Sequence, residues 1–132
     1  MTAEARKHLE EVRHALLGLH KSLVDSERVT YEKTVGAIRS PNHFLQLLTN
    51  DPWFAWLQPL SQLIVSMDES LDSKKPVPDE ALEAAIKEAN GLLSPSEAGQ
   101  GFGRHYYEAL QRDPDVVIAH GDVMKQLGKP KA

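Results

Sequence analysis

The strongest constraint in this sequence is a run of apolar residues near its start. Leu9, Val12, Leu16, Leu19 and Leu23 recur at alternating intervals of three and four. That period matches the turn of an α-helix and lays all of them on one stripe, the seam of a bundle or coiled coil. No long alternation of β-branched residues competes with it, and no Asn-Gly or Asp-Gly dipeptide marks a hairpin. The chain is therefore expected to be all-α: a compact bundle of about five to six helices with a long N-terminal helix.

The first helix is expected to begin near Thr2 and run to about Leu23. Beyond that point Val24, Tyr31, Val35 and Ile38 continue the apolar set while rotating around the axis, and no Pro or Gly interrupts Lys21 to Val35. An unbroken helix to Ile38 would be about 54 Å long, against a diameter of about 36 Å for a compact sphere of this mass. Three outcomes stay open: an elongated bundle, a bend near Asp25–Glu27, or a helix that projects into a partner.

Further along, an Asp or Ser followed by Pro starts three helices, at Ser40-Pro41, Asp51-Pro52 and Asp113-Pro114. In each the polar residue caps the helix and the proline occupies its first turn. The first of these helices carries Phe44, Leu45, Leu47 and Leu48. The second carries Trp53, Leu57, Leu60, Ile64, Met67 and Leu71 on one stripe, and Pro59 should kink or restart it. A helix over Asp79 to Leu93 turns Leu82, Ala85, Ile86, Ala89 and Leu93 inward. Another from about Phe102 to Arg112 buries Phe102, Tyr106, Ala109 and Leu110. The last presents Val116, Val117, His120, Val123, Met124 and Leu127 and stops at Gly128. Linker-like loops are expected near 73–78 and 94–101, within one helical-bundle domain spanning 1–132.

Composition narrows the function classes. There is no cysteine, which excludes disulfides, thiolate metal sites and cysteine nucleophiles and suits a reducing compartment. The N-terminus lacks the apolar core of a secretory signal. The longest stretch free of charge, Pro52 to Met67, is shorter than the roughly 20 residues a membrane span needs. No membrane partner is expected, and the localisation expected is cytoplasmic. The net charge is −4, with seven basic and seven acidic side chains in 1–66 and eight and twelve in 67–132. A mildly acidic chain without a basic stripe is a poor match for a phosphate backbone, so nucleic acid is not an expected partner.

Polar residues on apolar faces supply the candidate chemistry. At about 100° per residue, His20, Glu27 and Tyr31 fall along the side of helix one marked by Leu16 and Leu23. His120 lies on the last helix between Val116 and Val123. A carboxylate, an imidazole and a phenol brought together can hold a small ligand or move a proton, with Glu27 or a histidine as base and Tyr31 orienting the ligand. Asp68 is an outlying member of this set. Standing against it is a structural network in which each group is simply satisfied. Glu11-Val12-Arg13-His14 matches one Glu-x-x-His element, but a di-iron bundle needs two such elements and two further glutamates. No metal and no cofactor is predicted. The Gly99-Gln100-Gly101-Phe102-Gly103 segment has no preceding strand and no Gly-Lys-Ser/Thr, and is expected to be a connector. Of the aromatic cluster at 53–56, Trp53 is expected in the core, with Phe54 and Trp56 as candidates for an interaction surface.

Three stretches carry a resemblance: Leu19-His20-Lys21 through Tyr31-Glu32, Asp51-Pro52-Trp53-Phe54-Ala55-Trp56-Leu57, and Gly101-Phe102-Gly103 through Val116-Val117. Together they resemble a group of small bacterial all-helical proteins of unknown function. The resemblance implies a bacterial cytoplasmic protein and carries over no activity and no site residue. The function expected is a non-enzymatic protein-interaction or regulatory module that binds another protein or itself as a homodimer. It should show an exposed apolar patch. The alternative is a small-ligand-binding or catalytic bundle built on the His/Glu/Tyr cluster.

Overall fold

The computed structural model describes residues 1–129; the last three positions of the expected domain lie outside the described residues. The elements are α1 (Ala3–Thr34), α2 (Pro41–Asn50), a 3-10 helix (Pro52–Leu57), α3 (Gln58–Asp72), α4 (Glu80–Leu92), α5 (Phe102–Arg112) and α6 (Pro114–Leu127). The result is an all-α bundle with a long N-terminal helix.

α1 is continuous for 32 residues, about 48 Å at 1.5 Å per residue. The Thr2 hydroxyl opens it by accepting from the Ala5 amide at 3.1 Å. Leu9, Val12, Leu16, Leu19 and Leu23 are all at most 1% exposed, so the seam that the periodicity defines is the centre of the core. α1 neither breaks at Asp25–Glu27 nor extends to Ile38. Its far half stays attached because Ser26, Glu27 and Tyr31 are buried too.

α3 and α6 flank this seam, and both run antiparallel to α1. Arg13 and His20 meet Asp68 and Ser61 across the α1–α3 side. On the other side His8 meets the Gln126 carbonyl near the end of α6, and Glu27 meets Arg112, the last residue of α5, just before α6 begins. α4 packs on α3, and α5 packs on α6 and on the 3-10 helix.

The three proline starts all form. Ser40 Oγ accepts from the His43 amide at 3.0 Å, Asp51 Oδ1 from the Trp53 amide at 2.8 Å, and Asp113 Oδ1 from the Asp115 amide at 2.9 Å. The second start differs from the expectation of one α-helix kinked by proline. Residues 52–57 wind as a 3-10 helix and α3 restarts with Pro59 in its first turn, where the missing amide proton costs nothing. The glycine segment opens α5 through Gly101, whose φ of +70° favours a residue without a Cβ.

Several apolar side chains expected inward are exposed instead. Val35 lies past the end of α1, Leu45 faces away from the 3-10 helix that α2 covers, and Val117 turns off the inward face of α6. The exposed large apolar residues are Leu17, Val29, Val35, Leu45, Val65, Val117 and Ile118. They are distributed over α1 and its C-cap, α2, α3 and α6.

Candidate functional site

Glu27 is the most buried carboxylate of the described residues, at 5% exposure. Each of its oxygens has a donor. Arg112 Nη2 donates to Oε1 at 2.6 Å, and the Trp53 indole Nε1 donates to Oε2 at 2.8 Å. Arg112 Nε donates in turn to Ser26 Oγ at 3.0 Å. Tyr31, one turn further along α1, meets Trp53 edge-on with ring centroids 5.7 Å apart and packs on Phe54 at 5.5 Å. Glu27 and Tyr31 thus share one neighbourhood. The carboxylate there is already neutralised by a guanidinium and held by two directed bonds, which suits a clamp rather than a base awaiting substrate.

The remaining candidates are engaged elsewhere. His20 Nε2 lies 2.9 Å from Ser61 Oγ. Ser61 Oγ itself donates to the Leu57 carbonyl at 3.3 Å, so His20 Nε2 carries the donated proton. Asp68 is ion-paired with Arg13. His120 Nδ1 is 2.5 Å from the phenolic oxygen of fully buried Tyr106, and burial pushes the Tyr106 hydroxyl above its ordinary pKa. His20, Asp68 and His120 therefore each sit in a separate pair, apart from the bonds that hold Glu27. Ser61, Arg13 and Tyr106 complete these pairs, and Arg112 and Ser26 complete the group around Glu27. Sequence reasoning did not select Arg112, Ser26 and Ser61, and it took Tyr106 only as core.

Phe54 is no surface residue: it is 1% exposed, between Tyr31 and Phe44. Trp56 is half-buried, stacked on His105 at 5.2 Å and tilted against Phe102 at the same separation.

Burial lowers the pKa of both His20 and His120 below the ordinary 6.5. The unfolded chain therefore binds more protons than the folded one between the lowered values and 6.5, and stability rises with pH across that window. Lowering the pH from 6.5 is expected to reduce the urea midpoint. His120→Gln and His20→Gln, which keep a polar side chain but do not titrate, are each expected to flatten that slope. An unchanged slope in both variants would remove the two imidazoles as its cause.

A groove of about 860 Å³ lies open between α1 and α6. Lys7, Glu11, His14, Gly18, Lys21 and Asp25 stand on its α1 wall with Glu10 and Ser22 beside them, and Ile118 and Asp122 stand on its α6 wall. Ala15 and Ala119 line it where the two helices pass. Ile118 is 65% exposed at its rim. Lys7, Glu11, His14, Gly18, Lys21 and Asp25 recur at four, three, four, three and four, so these six form a second stripe on the helix, turned away from the leucine seam.

Among the described residues no group of three His, Asp or Glu side chains is arranged to hold a metal ion. Among them, too, no helix is long and apolar enough to cross a membrane. Compared with known proteins, the chain matches no family model, no curated protein and no solved structure.

Proposed function

We propose that this protein is a non-enzymatic interaction module that works as a homodimer in the bacterial cytoplasm. The observation that carries this is the contrast between its polar groups and its surface. The side chains best suited to chemistry are tied in separate pairs. The α1–α6 groove presents solvent-facing charges and an exposed isoleucine along a rigid two-helix face. Association uses such a face without asking its residues to react. The cysteine-free composition and the resemblance to small bacterial proteins support the compartment.

Native mass spectrometry of the purified chain, set beside its denatured mass, tests this. A dimer with no added mass is the expected result. A monomer that retains a small molecule or metal at fixed stoichiometry would overturn it in favour of a ligand-binding bundle.

A further inference from the structure

The outward stripe of α1 is charged in an order that fits itself when reversed. From the N-terminal end of the groove it reads Lys7, Glu11, His14, Gly18, Lys21, Asp25. Turned end for end about the midpoint between His14 and Gly18, Lys7 meets Asp25, Glu11 meets Lys21, and the large imidazole of His14 meets the bare backbone of Gly18. The two-fold axis repeats each pairing, as an isologous contact must. A parallel arrangement would set Lys7 on Lys7 and Glu11 on Glu11. An antiparallel one centred on Gly18 would set Glu11 on Asp25.

Room and cost agree with the reversed pairing. An ideal Cβ at Gly18 meets nothing within 4 Å, so this point of the face is open to close approach by another backbone. Three of the four charges have partners within the chain, Lys21 and Asp25 in each other at 2.8 Å and Glu11 in Lys129 at 3.1 Å. These pairs are solvent-exposed, with Lys21 at 79% and Asp25 at 59% side-chain exposure, and such pairs rearrange at little cost.

We infer that a second copy of this chain docks antiparallel along the α1–α6 groove, in the register that sets Glu11 of each copy against Lys21 of the other. The inference rests on the homodimer proposed above and names its surface and register. Lys7 and Asp25 close the two ends of the contact, and Ile118 on each α6 adds an apolar rim.

Sedimentation equilibrium of the full chain and four variants tests it, with far-UV circular dichroism as the check that each variant folds. Glu11→Lys and Lys21→Glu alone each place like charges opposite one another twice, and each is expected to weaken self-association about tenfold. The double variant Glu11→Lys/Lys21→Glu restores opposite charges and is expected to return to within about threefold of wild type. Gly18→Arg has free space in the single chain but fills the centre of the contact. It is expected to fold and to weaken the dimer by more than about a hundredfold.

A wild-type dimer that none of these variants weakens would overturn the groove while leaving the homodimer standing. Single variants that weaken it without rescue in the double would overturn the register, as a slide of one heptad sets Glu11 against Arg28 instead. A wild type that stays monomeric into the millimolar range would overturn both the inference and the homodimer.

Discussion

Phe54→Ala is expected to lower the free energy of unfolding by about 4 kcal/mol and the melting temperature by roughly 12 °C. The ring is 1% exposed and sits between Tyr31 of α1 and Phe44 of α2, with centroids 5.5 and 5.8 Å away. Truncation removes its buried area, leaves a cavity the rigid α1 cannot collapse into, and breaks two aromatic contacts at once. α2 is the element most exposed to this loss. It has no fully buried residue and leans chiefly on the 3-10 helix, so its amides are expected to lose exchange protection before those of α1 or α3. Leu45→Ala is the matched control. Leu45 is 60% exposed, and its removal is expected to change stability by less than about 0.5 kcal/mol. Urea unfolding of both variants decides the matter: a loss under about 1 kcal/mol in Phe54→Ala would mean that the ring faces solvent, as the α-helical projection of the sequence places it.

That projection fails for a geometric reason. At 100° per residue, Trp53, Trp56 and Leu60 share a face and Phe54 points away. A 3-10 helix has three residues per turn, so positions three apart eclipse. Phe54 and Leu57 then share the inward face, at 1% and 3% exposure, and Trp53 and Trp56 share another, both half-buried. Nothing local distinguishes the two windings, because Asp51-Pro52 starts either one equally well. By contrast, the helix starts and the leucine seam of α1 were legible, since capping and periodicity are properties of neighbours in sequence. The candidate site was legible only in part. Periodicity placed Glu27 and Tyr31 on the buried side of α1, but it fixes a face and not what that face meets. The group that neutralises Glu27 lies 85 residues away. The one local sign of Arg112 was a cation three residues after inward Ala109, in the last turn of α5, where the macrodipole alone would account for it.

The Glu27–Arg112 pair is the second place where a single side chain should matter greatly. The Glu27 side chain is 7% exposed and that of Arg112 32%, so the carboxylate depends on its partners more than the guanidinium does. Arg112→Met keeps the length and packing of the stem but leaves the carboxylate with the Trp53 indole alone. The expected cost is about 3 kcal/mol, because an uncompensated buried charge loses far more than the net worth of the pair. Glu27→Gln/Arg112→Met removes both charges and keeps an acceptor for Trp53 Nε1, with an expected cost of about 1 kcal/mol. The double variant is then more stable than the single Arg112→Met, and the departure of its loss from the sum of the losses in Arg112→Met and Glu27→Gln is the coupling between the two sites. Chemical denaturation of the three variants and wild type measures it. Equal losses in the single and double variants would show that packing of the arginine stem, rather than charge, joins α5 to α1. The coupled outcome would explain how the far half of a 32-residue helix stays seated where its apolar seam has already rotated away. There the helix is held by one ion pair to the end of α5, one indole from the 3-10 helix and the Tyr31 ring against Trp53 and Phe54, in place of leucines.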